Sequence, residues 1–224
     1  MKSTYSSAVI VAGGSGTRMQ AKVPKQFMEL CGIPVLMHTI KAFSDYDKNM
    51  LIVVVLPATQ LKYWENLCEQ YHFLLPHTIV EGGSNRFESV KNGLSRVPDS
   101  GWVAIHDGVR PLVTQATIRL CFQEAKQYGC AIPVIPVTDS VREIKEDRNE
   151  VINRKSLRLV QTPQVFDAKQ LKEAYLQNYV PEFTDDASVF ERKGHLIHLV
   201  EGNAENIKIT NRQDMLIATA LMTV

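Results

Sequence analysis

The stretch Ser7–Gln26, SAVIVAGGSGTRMQAKVPKQ, decides how this chain is read, because it passes from buried strand to bare, cationic loop within a few residues. Ala8, Val9, Ile10 and Val11 are apolar and rich in β-branched residues, the pattern of a strand covered on both faces in a parallel sheet. Gly13, Gly14 and Gly16 then open backbone angles closed to other residues and leave no side chain between main chain and ligand, so their amides can face anionic oxygens. Arg18 and Lys25 add two cations beside those amides. The simplest ligand that uses all of these features is a polyphosphate. A glycine-rich turn also serves close strand-to-helix packing, and it is the cations that favour phosphate.

Three phosphate and nucleophile motifs are excluded by position. A Walker loop needs Gly-Lys-Ser/Thr, but Gly16 is followed by Thr17 and Arg18. The dinucleotide fingerprint GxGxxG runs from Gly14 and Gly16 into Met19, and the elbow GxSxG fails because Thr17 stands two positions after Ser15. What remains is GGSGTRM followed by PKQF.

With 224 residues and 45% hydrophobic content, one α/β domain with a sizeable core is expected over 1–224. A formal net charge of +1 gives no global field for nucleic acid or an anionic membrane, so the cations must act locally. Cys31, Cys68, Cys121 and Cys130 show no metal-ligand spacing and read as reduced core thiols. The chain enters its first strand without room for a signal peptide, and no apolar run reaches the roughly 18 residues of a membrane span, which predicts a cytoplasmic protein.

Further along, the pattern predicts helices over Pro34–Phe43, Ala58–Tyr71 and Thr114–Tyr128, with strands at Leu51–Leu56, Trp102–Ile105 and Ala131–Val137. His77–Glu81 leads into Gly82 and Gly83 and then a helix carrying Phe87, Val90 and Leu94 inward, so a second set of amides can converge on the first ligand. His106 and Asp107 end a strand, where open α/β sheets bind ligands. This alternation predicts a three-layer, Rossmann-like, mostly parallel sheet. From Thr138 to Gln161 it gives way to DSVREI and EVINR around the turn KEDRNE, a protruding β-hairpin that is either a solvated excursion or an arm on a second subunit. A helix over Ala168–Tyr179, another beginning at TDD (Thr184–Asp186), a strand over Leu196–Glu201 and a helix capped by Asn211 complete the chain.

The groups able to carry chemistry are Arg18, Lys25, Asp107, Arg110, Arg154 and Lys208, with the hydroxyls of Ser84, Ser89, Ser140 and Thr162. Five cations against one carboxylate suit a site that holds several phosphates. Taken singly, Arg154 and Lys208 read more readily as solvated surface residues than as ligand-binding ones. No paired carboxylates or Ser–His dyad are apparent.

The blocks AGGSGTRM, PKQF, EGGSNRFESV, HDGVRP, PVTDSV, NRKSLRLVQTPQ, TDDASVFE and EGNAENIKIT occur in the order and spacing of one family. Over nearly the whole chain the sequence resembles the 2-C-methyl-D-erythritol 4-phosphate cytidylyltransferases of the non-mevalonate isoprenoid pathway. Ribitol-5-phosphate cytidylyltransferases share the loop, the GG pair, HD-x-x-RP and QTPQ. The Arg-x-x-Leu run in NRKSLRLVQTPQ and the acidic-Ala-Ser run in TDDASVFE favour the first family.

The resemblance implies attack by a phosphate monoester on the α-phosphorus of CTP, with Arg18 and Lys25 stabilising the crowded phosphorus. Ala12, Gly13, Gly14 and Gly16 would hold the nucleotide by backbone contacts, while Gly83, Ser84 and Ser89 would read cytosine and ribose. Asp107 would border nucleotide, polyol and a magnesium ion held mainly by phosphates; Arg110, Ser140, Arg154 and Lys208 would form the polyol-phosphate pocket. It also implies a homodimer in which the hairpin carries Ser140 and Arg154 into the neighbouring site. The chain departs from the commoner pattern at Ser84 and Asn85, where acidic residues are frequent, at Gly108 and Val109, and at Ser140 in place of threonine. A non-catalytic nucleotide-binding scaffold is the alternative of a different class, against which the presence of both Arg18 and Lys25 argues.

Overall fold

Ser6–Val11 forms the first strand, β1, which lies deep in the sheet between parallel neighbours β4 (Leu51–Leu56) and β6 (Trp102–Asp107). The computed structural model describes residues 5–14 and 23–223. Because side chains alternate along a strand, Ala8 and Ile10 enter one helical layer and Val9 the other; Val54 and Val53 divide in the same way. Both faces of these strands are therefore buried, which is why they read as continuous apolar runs.

One layer consists of α1 (Val35–Tyr46), α2 (Leu61–Gln70) and α4 (Gln115–Tyr128), which pack Leu36, Ile40, Phe43, Trp64 and Phe122 on the sheet. The other consists of α3 (Arg86–Leu94), α5 (Ala168–Ala174) and α6 (Asp186–Arg192), through Phe87, Val90, Leu171 and Phe190. Each large side chain so buried contributes about 1.5–3 kcal/mol, offset by the entropy of ordering it. Helix α7 (Arg212–Met222), capped by Asn211 as expected, packs beside Leu30, Val35 and Val109.

The main sheet runs from β5 (Thr78–Glu81) through β4, β1 and β6 to β11 (Gln164–Asp167), β7 (Cys130–Pro136) and β10 (Arg158–Val160), with β12 (Leu199–Glu201) also pairing β7. Strands β10 and β11 run antiparallel to their neighbours, and β11 is inserted between β6 and β7. Neither was expected. QVFD and RLV are too short to show a period, and only the open slot between β6 and β7 makes QVFD a strand. A small antiparallel pair, β2 (Glu29–Leu30) and β3 (Ile33–Pro34), lies outside the sheet.

The hairpin is present as β8 (Val141–Lys145) and β9 (Arg148–Ile152), but shorter than the interval 138–161. Lys145 pairs with Arg148, so the turn is Glu146–Asp147 alone, and Arg158–Val160 has already rejoined β7. The helix expected to reach Tyr179 stops at Ala174, and the strand expected from Leu196 begins at Leu199. Cys121 and Cys130 are buried and Cys68 partly so, but Cys31 is exposed at φ 47° in the turn between β2 and β3, so it is not a core thiol. Among the described residues no helix is long and apolar enough to cross a membrane.

Candidate active site

The carboxyl ends of β1, β4, β5 and β6 open onto one edge of the sheet, where a cavity of about 310 Å³ is bordered by Ala12, Gly13, Gly14, Lys25, Ser89 and Asp107. Ala12 is anchored by its N–H to Val55 O (2.9 Å), and Gln26 Nε2 donates to Ala12 O (2.9 Å), which ties PKQF back to the end of β1. Gly13 and Gly14 are exposed, and Lys25 Cε lies 3.7 Å from where a Gly14 Cβ would stand. Gly16 and Arg18 lie outside the described residues.

Of the second glycine pair Gly83 borders this cavity, but the amides of both glycines are already used. Gly82 N–H donates to Leu56 O (2.8 Å) and Gly83 N–H to Ser89 Oγ (3.1 Å). The expected second cradle of anion-facing amides is therefore not formed by this pair. Ser89 Oγ in turn donates to Asn85 O (2.7 Å), and Asn85 Oδ1 caps α3 by accepting from Glu88 N (2.9 Å). A Cβ on Gly83 would fall 2.2 Å from Glu88 Cβ, so only glycine fits. Ser84 is exposed on the rim.

A second cavity of about 270 Å³ adjoins the first and shares Arg86, Asp107 and Lys208 with it. Asp107 Oδ2 meets Lys208 Nζ at 3.0 Å and Arg110 Nε at 3.2 Å, while Oδ1 lies 3.9 Å from Arg86 Nε. Burial alone would raise the Asp107 carboxyl, but Lys208, Arg86 and Arg110 outweigh it and hold the group well below the usual carboxylate range. Arg110 also donates to Asn206 O at 2.7 Å. The structure thus assembles Asp107, Arg110 and Lys208, as expected, from loops about 100 residues apart in the chain.

Sequence reading passed over Arg86. Its guanidinium grips the fully buried Asp186 through two nitrogens at 3.0 and 2.6 Å, and Tyr175 Oη donates to the same carboxylate at 2.6 Å. Burial would lower the Arg86 pKa, but Asp186 and Asp107 hold it above its ordinary value. The sequence signal was only an arginine at the first position of a helix, because its partner lies 100 residues away. Arg86→Met would strand the Asp186 charge and should destabilise the fold by about 3–5 kcal/mol, read as a lower urea midpoint; Arg86→Met/Asp186→Leu should recover much of the loss. Gln161, Gln164, Thr184 and Asp185 line the second cavity and were likewise missed as site residues.

Ser140 and Arg154 do not join this cluster within the chain. Both are exposed on or beside the hairpin and line neither cavity, and Arg154 donates to Thr138 O. Thr162, expected among the functional hydroxyls, borders the second cavity, although it is largely buried and its Oγ1 accepts from Asp107 N–H at 3.1 Å. His106, wholly buried, lies edge-on to Phe43 and is shifted down to about 4 by burial, which the Arg110 carbonyl only partly offsets. Burial thus favours the neutral ring. Among the described residues no group of three or more His, Cys, Asp or Glu side chains gathers as a metal cage, and Asp107 already faces three cations. Among the described residues that line the glycine-walled cavity, Asp107 is the one carboxylate, a poor cage but a fit for an ion carried by phosphates.

The sequence profile of the family described as IspD, 2-C-methyl-D-erythritol 4-phosphate cytidylyltransferase, matches residues 6–224. Curated relatives of that name from Bacteroides thetaiotaomicron and Bacteroides fragilis are 50% and 52% identical over 216 residues, covering 96% of this chain and 99% of each of theirs. The crystal structure of the 2-C-methyl-D-erythritol 4-phosphate cytidylyltransferase from Thermus thermophilus is similar at a TM-score of 0.80 and 30% identity, over 99% of this chain and 100% of that one. A 4-diphosphocytidyl-2C-methyl-D-erythritol synthase from Anaerococcus prevotii gives 0.83 at 26% identity, over 99% and 97%. With its parallel core strands, its glycine loop and its Asp107–Arg110–Lys208 cluster, the chain belongs to the 2-C-methyl-D-erythritol 4-phosphate cytidylyltransferase family.

Proposed function

We propose that the protein transfers CMP from CTP to 2-C-methyl-D-erythritol 4-phosphate, giving 4-diphosphocytidyl-2-C-methyl-D-erythritol and pyrophosphate for isoprenoid precursor synthesis. The observation that carries this reading is the pair of adjoining cavities that share Arg86, Asp107 and Lys208. The glycine-walled cavity suits the nucleotide, and the cavity lined by Arg110 suits the acceptor phosphate.

An oxygen of the acceptor phosphate forms a bond to the α-phosphorus as the bond from that phosphorus to the β-bridging oxygen breaks. A phosphate monoester with a second pKa of about 6 is already largely dianionic at neutral pH, so no general base is required. The barrier is repulsion between two polyanions, and catalysis consists of positioning plus charge neutralisation. Arg18 and Lys25 act on the α-phosphate, while Arg110 and Lys208 hold the acceptor. Asp107 spaces those cations and accepts from a sugar or polyol hydroxyl. Asp107 would also border a magnesium ion held mainly by the nucleotide phosphates, which would supply further neutralisation.

The residues at 1–224 act as one catalytic domain, in the cytoplasm, and as a homodimer in which the hairpin brings Ser140 and Arg154 to the neighbouring acceptor pocket. Its exposed Ile144 and Val151 lie on one face of the hairpin, opposite Asn149 and Arg142, and would be covered there. Purified protein with CTP and magnesium should release pyrophosphate with methylerythritol phosphate and not with ribitol phosphate. Release with ribitol phosphate alone, or with neither, would overturn the assignment.

A further inference from the structure

The strongest unused feature is a closed chain of hydrogen bonds behind the acceptor pocket. His106 Nε2 lies 3.1 Å from Arg110 O, and its Nδ1 lies 3.0 Å from Thr162 Oγ1, which also accepts from Asp107 N–H at 3.1 Å. A carbonyl oxygen can only accept, so Nε2 must carry the hydrogen. Nδ1 is then bare in the neutral ring and accepts from the Thr162 hydroxyl. Protonating Nδ1 would make it a second donor to Thr162 Oγ1 and leave that hydroxyl hydrogen without an acceptor among the described residues. Every donor finds an acceptor only in the Nε2–H tautomer.

We infer that His106, as the neutral Nε2–H tautomer and together with Thr162, is a positioning residue that sets Asp107 and Arg110 for the acceptor phosphate. The ring joins both ends of the turn that carries them. Arg110 N–H closes on Asp107 O at 3.1 Å, Gly108 N–H bonds Val11 O at 2.9 Å, and Thr39 Oγ1 donates to Gly108 O at 3.2 Å. The other side of the chain is tied as well, since Asn206 Nδ2 donates to Thr162 O at 2.8 Å and Asn206 O accepts from Arg110. His106 borders neither cavity, so it acts through the turn and through Thr162 and Arg110, both of which line the acceptor cavity and not the nucleotide cavity. A lost link should therefore be felt by the acceptor more than by CTP.

This inference rests on the proposed reaction for its kinetic arm, but its spectroscopic arm needs no turnover. In 15N-histidine-labelled protein, His106 should show a protonated Nε2 and an unprotonated Nδ1; a protonated Nδ1 would overturn the assignment. Thr162→Val should raise the KM for methylerythritol phosphate by about tenfold, the value of one well-placed hydrogen bond, with a change in the KM for CTP of less than about twofold. Thr162→Ser should restore it. His106→Gln keeps an amide where Nε2 stood and should retain more acceptor affinity than His106→Phe, which loses both links. Equal rises in both KM values, or no rise for Thr162→Val, would reject the positioning role. A protein with the Nε2–H ring but no pyrophosphate release with any substrate pair would instead reject the proposed reaction.

Discussion

Replacing Lys25 by methionine should lower kcat by about 10²–10³-fold, with only a small change in the KM for CTP. Lys25 runs beside Gly14 and borders the cavity at the end of β1, where the exposed glycine backbone leaves room for a triphosphate. In the ground state the negative charge of CTP is spread over many oxygens and shared with solvent and magnesium. In the transition state two anionic groups crowd one phosphorus, and an ammonium fixed there is worth more than it was before. Loss of a group that acts in this way falls on kcat and kcat/KM together. Lys25→Arg should not restore the rate, because a planar fork does not replace a compact point charge. Steady-state kinetics with both substrates varied decides the matter: a raised KM for CTP at unchanged kcat would mean that Lys25 only binds nucleotide.

Mixing inactive Arg18→Ala and Arg154→Ala subunits should restore roughly a quarter of the wild-type activity. Random pairing makes half of the dimers mixed, and each mixed dimer contains one site with both arginines intact. The expectation follows from where Arg154 lies. It is exposed, it lines neither cavity of its own chain, and Ser140 behaves in the same way, although Arg110 and Lys208, proposed with them for the acceptor, converge on Asp107. The hairpin that separates Ser140 from Arg154 exposes Ile144 and Val151, apolar surface with no partner among the described residues. Mass spectrometry of the mixture would establish that mixed dimers form. If they form and activity stays at the sum of the parents, Arg154 serves its own chain or no site at all.

Much of this molecule could be read along the chain. The strands that end at Val11 and Asp107 declare themselves by length and β-branching, and the helix beginning at Arg86 by the spacing of Phe87, Val90 and Leu94. That Gly13, Gly14 and Lys25 meet at the end of β1 was legible because they belong to one contiguous stretch. The short strand Gln164–Asp167 was not legible, since its conformation is imposed by the partners β6 and β7 on either side. That the amides of Gly82 and Gly83 are already bonded, to Leu56 and Ser89, was not legible, because a glycine pair looks the same in sequence whether its amides face a ligand or the protein.

The sequence by itself determined which residue types were present for phosphate chemistry and the order in which strands and helices succeed one another, because both depend on local composition and on short-range periodicity. Only the tertiary structure decided that Arg86 belongs with Asp186 and Asp107, that Thr162 both borders the second cavity and holds the Asp107 backbone, and that Ser140 and Arg154 stay outside that cavity. Those outcomes depend on distances between residues far apart in the chain. Such distances are set by how the sheet and its two helical layers close on one another, and no local pattern encodes them.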